Sequence, residues 1–251
     1  YRSQKRGGKG VQGMSTKEDD FVEHLYITNS HDYLMFFTNL GKAYRLKAYE
    51  VPEMGRTARG LPIVNLLQIE KGERITAMIP VEEFSSDHCL FFATKQGIVK
   101  RTSLDQYVNC RKNGLIAIGF NEGDELIGVR LTDGSQSIIL GTEQGMSIHF
   151  KETDVREMGR TARGVKGINL DPGDQVIDVG ILRENTAVLT VSKNGYGKLT
   201  LSDEYRVQTR GGKGIKTMNI TEKTGPIVGM KVVSEQDDIM VVTATGIIIR
   251  V

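Results

Sequence analysis

Five nearly unbroken apolar stretches recur along the chain, at residues 34–37, 89–92, 137–140, 187–190 and 239–242. Each is of strand length, and such runs predict strands buried on both faces. Each leads into Thr or Ser, two variable residues, a Gly and a second β-like run: TNLG ending at Gly41, TKQG at Gly97, TEQG at Gly145, SKNG at Gly195 and TATG at Gly246. The pattern predicts hairpins whose Gly takes positive φ in the turn.

Two further signatures follow each hairpin in fixed order. One is a basic loop closed by Gly: QKRGGKG ending at Gly10, MGRTARG at Gly60, CRKNG at Gly114, MGRTARG at Gly164 and TRGGKG at Gly214, with closing glycines 50, 54, 50 and 50 residues apart. The other is an acidic turn leading into a strand, as in IEKGERITAM, NEGDELIGV and DPGDQVIDV, and more loosely TKEDDFVEHL and TEKTGPIVGM. A unit of roughly 50 residues therefore supplies about four strands, the content of a propeller blade. One such sheet cannot cover both its faces, so the units are expected to stack around an axis. The approximate divisions are 1–32, 33–86, 87–134, 135–183, 184–235 and 236–251 within a single domain, 1–251. The chain opens with a loop lacking its hairpin and closes with a hairpin lacking its loop; these halves either complete one blade or belong to two. Opening on Tyr1, inside a motif, the chain is expected to be a piece of a longer polypeptide.

Composition supports the all-β reading, with 29 glycines, 5 prolines and no Trp. The formal net charge of +2 identifies no partner, but its distribution does. Residues 1–10 carry Arg2, Lys5, Arg6 and Lys9 with no acid, and residues 205–216 carry Arg206, Arg210, Lys213 and Lys216. Between them lie Arg56 and Arg59, then Arg111 and Lys112, then Arg156, Arg160, Arg163 and Lys166, each set net positive in its loop. A second basic position recurs four residues past the hairpin Gly, as Arg45, Arg101 and Arg250, with His149 there once and Lys198 one step earlier. Acids gather instead around Asp19, Glu73, Asp124 and Asp174. Wrapped about an axis, the repeat would present one positive band and a separate acidic band. Glycines let main-chain N–H groups approach an anion while Lys and Arg supply charge, so the loops suit phosphate. Aromatic residues make up 6% of the chain and do not interleave with these loops, which favours duplex DNA over a stacking platform for single strands.

QKRGGKG at residues 4–10 resembles the QRRGGKG box that marks the C-terminal domain of the DNA gyrase A protein, with Lys5 in place of the first Arg. LPIVNLL (61–67), GDELIGV (123–129), GYGK (195–198) and TARGV (161–165) extend the resemblance along the whole chain. It implies an all-β, six-bladed β-pinwheel that wraps duplex DNA around a positive rim, so that ATP-dependent strand passage by the parent type II topoisomerase introduces negative supercoils. It also implies that Gln4, Lys5, Arg6, Gly7, Gly8, Lys9 and Gly10 are the wrapping determinant. The auxiliary rim would be Arg45, Arg56, Arg59, Arg101, Arg111 and Lys112, continued by Arg160, Arg163, Arg210, Lys213 and Lys216. Implied partners are duplex DNA, the remainder of the gyrase A protein and the gyrase B protein, in the cytoplasm at the nucleoid. ATP and Mg2+ would be used elsewhere in that holoenzyme, with no cofactor, metal or catalytic residue in this chain.

Rival readings find less support. GKGVQG (8–13) formally fits GxGxxG, but no apolar strand precedes it and no helical period follows. His24, His31, His88 and His149 are isolated, Cys89 and Cys110 lack partners at metal spacing, and Asp19-Asp20 and Asp237-Asp238 read as turn residues. No apolar run reaches membrane-helix length. The alternatives are the corresponding domain of topoisomerase IV, which lacks a well-formed first box, and a propeller that binds an acidic protein.

Overall fold

The computed structural model describes residues 11–12, 25–55, 57–242 and 247–250, without the side chains of 11–12 and 240–250. After β1 (Val11–Gln12), the first full unit gives β2 (Tyr33–Thr38), β3 (Lys42–Lys47) and β4 (Ile75–Val81). The second gives β5 (Cys89–Thr94), β6 (Ile98–Ser103), β7 (Leu115–Ile116) and β8 (Leu126–Thr132). The third gives β9 (Ser137–Thr142), β10 (Met146–Lys151), β11 (Val165–Lys166) and β12 (Val176–Leu182). The fourth gives β13 (Ala187–Ser192), β14 (Gly197–Leu201), β15 (Ile215–Lys216) and β16 (Ile227–Val233), before the last hairpin of β17 (Met240–Val242) and β18 (Ile247–Arg250).

The described strands form five antiparallel sheets: β4-β2-β3-β7, β8-β5-β6-β11, β12-β9-β10-β15, β16-β13-β14 and β17-β18-β1. The sequence assigned each unit its own four strands, but the sheets are assembled differently. The short strand after a basic loop crosses to the hairpin of the preceding unit: Leu115 opposes Ala43, Val165 opposes Val99, and Ile215 opposes Ser147. By the same rule β1 joins β18, with Val11 opposite Ile248. In each described case the donated strand belongs to the unit after the hairpin it joins, and the strand after the first loop shares one sheet with the last hairpin.

The hairpin glycines explain how the crossing is accommodated. Gly41, Gly97, Gly145 and Gly195 all have positive φ, between 75° and 89°. A Cβ on Gly41 would also lie 2.9 Å from the Ile118 carbonyl, one on Gly97 2.9 Å from Ile168 Cγ2, and one on Gly145 would strike the Met218 carbonyl. The donated segment passes directly over the turns at Gly41, Gly97 and Gly145.

Of the apolar strands, β5 and β9 are buried on both faces because each lies between two sheets. Leu90 and Phe92 of β5 pack with Met35 and Phe37, while Phe91 and Ala93 pack with Leu140 and Phe150. Phe92 meets Phe37 edge-on at 5.7 Å, and each buried Phe contributes about 1.5–3 kcal/mol. β4, β8, β12 and β16 line a cavity of about 830 Å³. Arg130 and Lys231 both reach Asp178 there, at 3.1 and 3.9 Å. The acidic turns brace the hairpins: Asp124 accepts the N–H of Gln96 and Asp174 that of Gln144.

Candidate nucleic-acid interface

Backbone bonds hold the basic loops at equivalent stations. The Gly41 carbonyl accepts the N–H groups of Ala117 and Ile118, Gly97 those of Gly167 and Ile168, and Gly145 those of Thr217 and Met218, at 2.8 and 3.3 Å in every case. Successive loops are also joined to one another, Gly119 donating to the Ala162 carbonyl at 3.1 Å and Asn169 to that of Gly212 at 2.8 Å. The closing glycines are forced by the crossing: a Cβ on Gly164 would strike the Val99 carbonyl, and one on Gly214 that of Ser147.

This frame sorts the basic residues by direction. The position before the closing Gly points out to solvent as Arg59, Arg163 and Lys213, and Lys166 and Lys216 of the donated strands are exposed as well. Lys213 meets Asp171 at 3.0 Å with both side chains well exposed, a pair worth little in water. Arg111 is exposed, and Lys112 pairs with Glu50 at 2.6 Å. That contact and the Lys47 N–H hold the Glu50 carboxyl below the usual carboxylate range.

The second basic position faces the protein at Arg45, Arg101 and His149. Arg45 lies over the rings of Tyr33 and Phe84 at 4.7 and 5.1 Å and donates to the Val108 carbonyl. Arg101 is largely covered and stands 3.9 Å from the wholly buried Glu152. His149 Nδ1 lies 2.7 Å from the Tyr205 carbonyl. Arg160 and Arg210 are half-buried and also turn to carbonyls, Arg160 Nη1 to Ile116 at 2.6 Å and Arg210 Nη1 to Lys166 at 3.0 Å. Their loops are basic, but these two guanidiniums are engaged with the backbone. Residues 4–10 and Arg56 lie outside the described residues.

Sequence reasoning passed over Lys100. Its side chain is fully buried, and its Nζ donates to the carbonyls of Ala117 and Arg160, both at 2.5 Å. The available signal was the hairpin register. Lys198, also three residues past its hairpin Gly, donates to the Thr217 carbonyl at 2.8 Å. Lys198 is therefore the counterpart of Lys100, not a displaced member of the Arg45 column.

Among the described residues no group of three or more His, Cys, Asp or Glu could hold a metal ion, and no helix is long and apolar enough to cross a membrane. Cys89 and Cys110 are buried free thiols, with burial pushing them up to about 11 and about 12.

The family described as "DNA gyrase C-terminal domain, beta-propeller" matches at residues 1–29, 32–82, 90–133, 136–183 and 186–234. The A subunit of DNA gyrase from Halalkalibacterium halodurans is 62% identical over 250 residues, covering 100% of this chain and 30% of that protein. The Staphylococcus epidermidis counterpart is 52% identical over 253 residues, again covering 100% of this chain and 28% of the relative. The chain thus spans under a third of the length of these relatives. Among solved structures, a DNA gyrase A C-terminal domain superposes with a TM-score of 0.82 at 27% identity, covering 100% of this chain and 82% of that one. The C-terminal domain of a DNA topoisomerase IV gives 0.78 at 28% identity, covering 89% and 70%. Fold, repeat and full-length similarity agree, and the chain belongs to the DNA gyrase C-terminal domain family.

Proposed function

We propose that this domain binds duplex DNA by its backbone and bends it along the basic loops, so that a parent DNA gyrase introduces negative supercoils by ATP-dependent strand passage. The observation that carries this reading is the equivalent placement of the loops closing at Gly114, Gly164 and Gly214, each held at a fixed station by backbone bonds and each carrying an exposed cation, Arg111, Arg163 or Lys213. In this reading residues 4–10 are the main wrapping element and the later loops guide the duplex onward. The remainder of the gyrase A protein and the gyrase B protein are the protein partners in the bacterial cytoplasm, and ATP and Mg2+ act in the other parts of the holoenzyme.

Bending some 40 base pairs through a half turn costs on the order of 10 kcal/mol. No single loop offsets that, whereas several loops together neutralising about 6–10 phosphates would. The test is fluorescence transfer between the ends of a short duplex, comparing the unchanged protein with the triple variant Lys5→Ala, Arg6→Ala, Lys9→Ala. The variant is expected to bind with the ends left far apart; bending equal to that of the unchanged protein would remove residues 4–10 from the mechanism.

A further inference from the structure

Arg160 and Arg210 stand four residues before the closing glycines Gly164 and Gly214. Both reach the second residue of the strand donated by the preceding unit, Arg160 to Ile116 of β7 and Arg210 to Lys166 of β11. Arg210 also donates from Nε to the Asp154 carbonyl at 2.9 Å, so its planar fork spans two backbone segments. The loop at Arg160 is secured from both sides, since its N–H donates to Gln106 Oε1 at 3.0 Å and its carbonyl receives Lys100. In the second unit the same position holds Cys110, fully buried, with its thiol 3.3 Å from the Ala43 carbonyl. All three described occupants therefore turn toward backbone carbonyls, one of them with no charge at all.

We infer that Arg160 and Arg210 are positioning residues: each fastens its loop to the neighbouring donated strand and so fixes where the exposed Arg163 or Lys213 is presented. The guanidinium suits this task because it offers several N–H groups in a rigid plane, and its bonds to carbonyls are charge-assisted. A lysine keeps the charge but cannot bridge Asp154 and Lys166 in the same way. The DNA readout of this inference rests on the function proposed above, while its exchange readout does not.

The experiment compares Arg210→Lys, Arg210→Ala and Lys213→Ala in the 251-residue chain, by hydrogen exchange across residues 206–216 and by the salt dependence of binding to a short duplex. Both Arg210 variants are expected to speed exchange by at least about tenfold, the lower end of the factor for losing a charge-assisted hydrogen bond, and to weaken binding alike without lowering the salt slope. Lys213→Ala should leave exchange unchanged and lower the slope by about one. The inference is overturned if Arg210→Lys keeps native exchange and affinity while Arg210→Ala lowers the slope by about one. If the unchanged chain fails to bind DNA, the proposed function fails and exchange alone decides. Should the Arg210 variants not fold, Arg160→Lys is scored in the same way.

Discussion

Lys100 places a cation inside the protein, where opposing influences act on its proton. Burial, with the nearby Arg160 charge adding to it, draws the ammonium from 10.5 down to about 7, while the carbonyls of Ala117 and Arg160 favour the charged form. Between pH 7 and pH 9 the unfolded chain keeps this proton and the folded chain releases it, so stability rises with pH in that window. From about pH 9 the thiols Cys89 and Cys110, raised by burial, stay protonated in the fold while the unfolded chain ionises, and stability falls. Urea midpoints measured across this range should peak near pH 9. In Lys100→Met the rise on the acid side should vanish and the alkaline fall remain; an unchanged rise would place the titrating group elsewhere. The sequence could not announce this residue, because a single Lys in a half-polar strand is ordinarily solvated. The outward cations were legible by contrast, since Arg59, Arg163 and Lys213 follow a local rule of one residue before a glycine. The inward turn of Arg45, Arg101, Arg160 and Arg210 depends on carbonyls and acids 44 to 63 residues distant along the chain, or on a neighbouring sheet.

At the scale of elements, the hairpins and their apolar strands were plain from local pattern, and so was the positive φ of Gly41, Gly97, Gly145 and Gly195. The exchange of the short strands was not, because a two-residue strand such as Leu115–Ile116 has too little pattern to reveal its partner. Its traces are the close approaches at the glycines, and these yield a comparison within one molecule. Gly145 has φ +89° and a Cβ there would strike the Met218 carbonyl, whereas Gly195 has φ +82° with nothing within 4 Å. Gly195→Ala should cost only the conformational penalty of about 1–2 kcal/mol. Gly145→Ala adds a backbone displacement and should cost more than about 3 kcal/mol. Equal losses in denaturant unfolding would mean that the crossing segment does not confine the turn.

For the whole molecule, the near balance of 33 Lys and Arg against 31 Asp and Glu conceals a division of labour. Carboxylates such as Asp124, Asp174 and Asp178 are engaged in bracing turns and joining inner strands. Among the described residues, the exposed cations of the loops have fewer such partners. Binding to duplex DNA should therefore be steeply salt-dependent, falling about 10³- to 10⁵-fold between 50 and 200 mM salt if roughly 6–10 phosphates are neutralised. A shallow dependence in a titration series would argue against an extended path on the protein.

Donated strands also mean that the segment a genome would duplicate is not the segment that folds. Each complete sheet draws three strands from one unit and a fourth from the next. No contiguous stretch of about 50 residues can therefore be excised with a finished sheet inside it, and a copied unit would both receive and supply a strand at the same register. Insertion of whole units would preserve that reciprocity, whereas insertion of a fraction of one would leave a sheet margin bare.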